Sequence, residues 1–115
     1  MPTWDDVVGI AAALPEVQVS TSYGTPALKV KGKGFARLRT EAEGGLMLRC
    51  SMEEKAALLA SGDPAFFTTP HYDGYPSILV DLTKIDAPHL AELVEEAWRL
   101  RAPVTVRRLR PTRET

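Results

Sequence analysis

Trp4, Val7, Val8, Ala11 and Leu14 recur at the spacing of one helical face and predict an amphipathic first helix. Thr3 stands ahead of it as an N-cap, with Asp6 three positions on as a capping-box acid. Asp5 and Asp6 also suit the positive end of the helix dipole, and Pro15 stops the helix. Beyond Pro15 the apolar period changes to two. Alternation predicts strands over 17–20, 27–31, 35–40 and 46–50, and the glycines of Gly32-Lys33-Gly34 suit a tight hairpin link. Ser51 caps a second helix, with Glu54 in the reciprocal position and Met52, Ala56 and Leu59 as its expected buried stripe. Gly62 and Asp63-Pro64 end it. Residues 66–69 read as a short strand or extended turn, 70–76 as a loop and 78–82 as a further strand. A third helix opens near Asp86, buries Leu90, Leu93, Val94, Ala97 and Trp98, and ends at Pro103.

Strands joined by short turns pair antiparallel, so this order implies an α+β fold: an antiparallel sheet with helices packed on one face. The other face is expected to be solvated. Alternation points Leu28, Val30, Ala36, Leu38, Leu46, Leu48, Cys50, Ile78, Val80 and Leu82 toward the helices. Lys29, Lys31, Phe35, Arg37, Arg39, Met47 and Arg49 are then expected to share the wet face.

The formal net charge of −1 conceals strong segregation. Residues 1–26 carry −3, from Asp5, Asp6 and Glu16. Residues 27–50 carry six cations against two acids, +4; residues 51–98 carry nine acids against two lysines, −7. Residues 99–115 carry six arginines against Glu114, +5. Basic segments with an aromatic among them suggest a phosphate-bearing partner. Lys29, Lys31, Arg37, Arg39 and Arg49, with Lys33 at the hairpin tip, are the candidate nucleic-acid contacts. A solvated, aggregation-blunting strand face is the competing explanation.

The 115 residues fit one domain, with 44% hydrophobic and 25% charged residues, the balance of a globular chain. A chain of this length buries roughly 65% of its unfolded surface without needing metals or disulfides. No apolar run reaches the ~20 residues of a membrane helix. The N-terminus lacks a basic n-region, so it does not read as a signal peptide. The expected setting is cytoplasmic, with no membrane partner. Residues 1–103 read as the domain and 104–115 as an arginine-rich tail that frays unless it docks.

Catalytic signals are sparse. His71, Asp73 and His89 are too few and too scattered for the three or four ligands of a zinc site, so neither a metal nor another cofactor is expected. Cys50, the single cysteine, falls on the apolar side of its strand, where a thiol behaves as a small hydrophobe. No phosphate-binding glycine loop and no nucleophile elbow is present. Tyr23, His71, Tyr72 and Tyr75, in glycine- and proline-containing loops, form an alternative ligand or protein-binding site, or else plug the end of a small core.

Three stretches carry a family resemblance. They are Leu14-Pro15 followed by Thr21-Ser22-Tyr23-Gly24-Thr25-Pro26-Ala27-Leu28-Lys29-Val30; Lys33-Gly34-Phe35-Ala36-Arg37-Leu38; and Thr69-Pro70-His71-Tyr72-Asp73-Gly74-Tyr75-Pro76, with Ile78-Leu79-Val80 and then Leu93-Val94-Glu95-Glu96-Ala97-Trp98. The pattern resembles the MmcQ/YjbR-like family of small bacterial proteins and covers all but the arginine tail. The resemblance implies a CyaY-like fold, related to frataxin, and a non-enzymatic DNA-binding protein of double-wing type. Its wing hairpin maps onto 29–39. It supplies no catalytic residues. Ser77 departs from the aromatic expected after Gly-Tyr-Pro. The frataxin likeness raises iron binding, but Asp5, Asp6 and Glu16 are a poor hard-cation site ahead of basic strands. DNA binding without sequence preference is therefore the leading expectation.

Overall fold

Thr3 accepts a hydrogen bond from the Asp6 N–H, and the Asp6 carboxylate accepts one from the Thr3 N–H at 2.8 Å, closing the expected capping box. It opens α1 (Trp4–Ala11). The structure is a computed structural model that describes residues 2–22 and 24–110. After α1 come β1 (Val17–Ser22), β2 (Thr25–Val30), β3 (Lys33–Leu38), β4 (Leu46–Arg49), α2 (Met52–Ala60), β5 (Phe66–Phe67), β6 (Ser77–Val80), α3 (Ala87–Arg101) and α4 (Val104–Arg107). Ser51 caps α2 and Asp86 caps α3 through the N–H groups of Glu54 and His89.

The strands form one sheet in the order β1-β2-β3-β4-β6-β5, and every neighbouring pair is antiparallel. This is the α+β architecture that the apolar pattern predicts. α3 packs on β3 and β4 and against α1. Between them lies the main core: Val7, Leu28, Val30, Leu46, Leu48, Ile78, Val80, Leu90, Val94 and Trp98. The Trp98 Nε1–H donates to the Pro15 carbonyl at 3.0 Å, tying α3 to the chain leaving α1.

The observed β2–β3 turn is Lys31-Gly32, both left-handed at φ 49° and 80°, one step earlier than the predicted link. A register shift follows from it. Leu28 pairs with Ala36, but Lys29 pairs with Gly34, leaving Phe35 as an extra residue in β3. The bulge breaks the alternation. Phe35, expected on the wet face, is fully buried in the helix-side core beside Ala36.

Two further expectations change, on β1 and in α2. Val19 of edge strand β1 is exposed instead of facing the core with Val17. In α2 the buried residues are Lys55 and Leu58, while Met52, Ala56 and Leu59 are exposed. The Lys55 ammonium is drawn inward by the Tyr72 and Tyr75 carbonyls, the latter at 2.9 Å. The arginine-rich tail docks as far as Arg110. Val106 is buried, and Arg110 donates to Ala13 O at 3.4 Å and to Glu95 at 3.0 Å. Hydrogen bonds from Arg110, and then Arg99, hold the Glu95 carboxyl below its ordinary pKa.

Gly44 and Gly45 close the β3–β4 loop at φ 76° and 87°. A Cβ on Gly45 would stand 2.9 Å from Phe67 Cζ and 3.2 Å from the Val80 carbonyl oxygen, whereas one on Gly44 meets nothing within 4 Å. Gly45→Ala is expected to cost about 3 kcal/mol, backbone strain plus overpacking. Gly44→Ala should cost only the strain, about 1 kcal/mol. Urea unfolding midpoints compare the two, and equal losses would contradict the Phe67 contact.

Candidate functional site

Ala27, Arg37, Met47, Leu79 and Phe67 lie in register across the face turned away from α3. Ala27 and Leu79 are 1% and 0% exposed although neither belongs to the helix-side core. The centre of this face is therefore covered, not solvated as alternation predicts. The 68–76 loop folds back onto it. Arg37 Nη1 donates to the Tyr72 hydroxyl at 3.3 Å, and the Arg39 guanidinium lies 5.7 Å from the Tyr72 ring centroid. From α2, Lys55 holds the loop by its carbonyls. His71 meets Tyr72 edge-on at 4.9 Å and stacks with Tyr75 at 6.1 Å. Tyr23, the other aromatic candidate, lies outside the described residues.

Arg37 and Arg39 are structural anchors as much as cations. Their side chains are 13% and 8% exposed. Arg37 Nε donates to Ser22 O at 3.3 Å and to Thr25 Oγ1 at 3.0 Å, and Arg39 Nη1 donates to Gly44 O at 3.0 Å. They share one carboxylate, Glu43, at 4.0 and 3.9 Å. The Thr40 backbone N–H, then its hydroxyl, hold the Glu43 carboxyl below its ordinary pKa. The basic-strand candidates Arg37 and Arg39 and the loop candidate Tyr72, separate proposals in the sequence, thus meet in one place.

The other basic candidates gather at the β2–β3 hairpin end. Lys31 pairs with Glu16 at 3.7 Å, both half exposed, a contact that salt screens readily. Lys29 lies opposite Gly34 and Lys33 opposite Val30. The Gly34 carbonyl accepts from Arg101 Nε at 3.2 Å, which brings the last turn of α3 to the same end. Burial, then the nearby Arg101 charge, push the Arg49 guanidinium below its ordinary pKa, although it stays charged. Among the described residues, Lys29, Lys33, Arg49 and Arg101 have no carboxylate within 4.0 Å. Arg101 is the member that strand alternation could not reveal. Its only sequence signal is the basic charge of the C-terminal segment.

The remaining candidates form no reactive centre. Burial pushes the Cys50 thiol up to about 11, which leaves it protonated at neutral pH. His89 packs edge-on against Phe66 at 5.3 Å, and Asp73 accepts from Thr68 Oγ1 at 3.2 Å. Among the described residues no three His, Cys, Asp or Glu side chains converge on a point that would hold a metal, and no helix is long and apolar enough to cross a membrane. A separate groove of about 560 Å³ between α1 and α3, lined by Ile10, Leu14, Leu93, Glu92 and Glu96, includes none of the basic or loop-aromatic candidates.

Comparison with known proteins agrees with this architecture. The YjbR family profile matches residues 12–100, from the end of α1 to the last turn of α3. The chain belongs to the YjbR family. Uncharacterized proteins Rv2570 of Mycobacterium tuberculosis and Mb2600 of Mycobacterium bovis are 33% identical to this YjbR chain, over 90% of its length and 91% of theirs. The crystal structure of Deinococcus radiodurans protein DR2400, of the DUF419 domain family, superposes with a TM-score of 0.75 at 20% identity. That match covers 95% of this chain and 88% of that one, a likeness of fold. The YjbR match takes in β2, β3, β4 and the 68–76 loop, and it ends one residue short of Arg101.

Proposed function

We propose that this YjbR protein is a non-enzymatic nucleic-acid-binding protein that grips the phosphate backbone with its hairpin end. Lys29, Lys33, Arg49 and Arg101 are the contacts, with Lys31 beside the tip. The observation that carries the reading is the Arg101 hydrogen bond to the Gly34 carbonyl, which sets a cation of α3 at the end of the sheet where Lys29 and Lys33 lie, none of the three with an acid within ion-pair distance among the described residues. Coulomb repulsion between them is relieved when a phosphate enters, which favours a polyanion over water. Phosphate contacts position a protein without reading bases, so no target sequence is implied. Arg37 and Arg39 are not part of this grip, because their side chains are 13% and 8% exposed and lie against the Tyr72 loop, away from the hairpin end.

Fluorescence anisotropy with a labelled random duplex and a single strand tests the proposal. Micromolar binding is expected at low salt. Four phosphate contacts predict a roughly 100-fold loss on duplex between about 50 and 200 mM salt. Lys33→Glu with Arg49→Glu should weaken binding more than about tenfold, while Lys84→Glu leaves it unchanged. Absence of binding to either probe at the lower salt overturns the proposal.

A further inference from the structure

We propose that Arg39, beneath the Tyr72 ring, is a docking point for a small oxyanion: a carboxylate or phosphate group of a low-molecular-weight ligand. This inference does not rest on the nucleic-acid reading, whose cations lie at the hairpin end. A guanidinium offers its donors along fixed edges, and the Nε/Nη2 edge matches two oxygens of a carboxylate or phosphate. In Arg39, Nη1 is engaged by Gly44 O. Nε is buried without a hydrogen-bond partner, and among the described residues Nη2 faces Glu43 Oε2 at 3.9 Å, beyond hydrogen-bond length. The Nε/Nη2 edge is therefore left without a hydrogen-bond acceptor on a side chain that is 8% exposed, and an oxyanion reaches it by displacing Glu43. Buried donors and charges are costly when unmatched, and an oxyanion on this edge removes that cost.

The surroundings suit such a ligand. Among the described residues the carboxylate within ion-pair distance of Arg39 is Glu43, and Glu43 also faces Arg37, so Arg39 does not have it to itself. Glu43 is half exposed and held mainly through Thr40, so it can swing away while a tighter anion takes the edge. The Tyr72 ring supplies a flat, polarisable wall. Thr69, whose carbonyl accepts the Tyr72 N–H, carries a second buried group without a partner, its Oγ1.

The test is NMR of the full ¹⁵N-labelled chain, following the Arg39 Nε–Hε signal during titration with sodium phosphate, with sodium citrate, and with sodium chloride at matched ionic strength. A saturable shift with phosphate, citrate or both, and none with chloride, is expected; which salt works identifies the ligand group. Glu43→Gln, which removes the competing charge, should tighten binding several-fold. Arg39→Lys keeps the charge but loses the edge, and should weaken binding, followed there by the backbone amide signals of Gly44 and Tyr72, about tenfold. Lys33→Glu with Arg49→Glu should leave oxyanion binding intact, separating this site from the nucleic-acid grip. No saturable shift in either oxyanion titration overturns the proposal. If Arg39→Lys does not fold, the Glu43→Gln comparison decides, and unchanged or weaker binding there overturns it equally.

Discussion

Phe35→Ala should lower the unfolding free energy by about 4 kcal/mol, the cost of emptying a fully buried aromatic site. The size of the loss separates two descriptions of β3. Strict alternation puts Phe35 among the cations on the face away from the helices, where truncation costs less than about 1 kcal/mol. The bulge between the Leu28–Ala36 and Lys29–Gly34 pairs instead turns the ring into the core, with no exposed surface. Removing it deletes aromatic contacts and leaves a cavity that the paired neighbours β2 and β4 cannot close. Urea unfolding followed by far-UV circular dichroism measures the change. Phe35→Leu keeps most of the volume and should lose about 1–2 kcal/mol. A loss below about 1 kcal/mol for Phe35→Ala would mean that the ring is on the surface and the register is wrong.

Trp98→Ala should cost about as much or more, 4–5 kcal/mol, and bring the protein close to its stability limit. Trp98 is the largest of the fully buried side chains and sits where α3 meets the chain leaving α1. Its loss combines a cavity with an orphaned Pro15 carbonyl, since the indole N–H is the donor to that oxygen. The two contributions separate by substitution. Trp98→Phe fills most of the volume but donates nothing, so it should cost about 2 kcal/mol. Unfolding midpoints of the two variants give the ratio. Equal, small losses would show that the α1–α3 contact does not carry the core.

Much of this fold is legible in the order of residues. The capping box of Thr3 and Asp6, the stripe of Leu90, Leu93, Val94, Ala97 and Trp98, and the Asp86 cap are short-range patterns that the structure reproduces. The antiparallel pairing of β1 to β4 follows from short connections, whereas β6 reaches its place between β4 and β5 across a connection that contains α2. The functional surface is less legible. Strand alternation correctly separates Lys29, Arg37, Arg39, Met47 and Arg49 from the core, but it cannot say which of them meet water. The 68–76 loop decides that, claiming Arg37 and Arg39 as anchors and leaving Lys29, Lys33 and Arg49 with Arg101. In α2 the predicted stripe slips by one position because an alanine-rich helix has little apolar contrast. The loop carbonyls that draw Lys55 inward lie 17 and 20 residues away.

The helix caps, the apolar stripes of α1 and α3, the hairpin pairing of β1 to β4 and the segregation of charge were thus set by neighbours within a few residues, whose propensities and spacing act before any tertiary contact forms. The burial of Phe35, the inward turn of Lys55, the docking of the tail through Glu95 and Arg110, and the meeting of Arg39 with Tyr72 were decided by the folded chain alone. Each depends on a bulge or on a partner distant in sequence. A charged or aromatic side chain goes where hydrogen bonds and excluded water make burial cheapest, and those partners exist only once the sheet and its loop have closed.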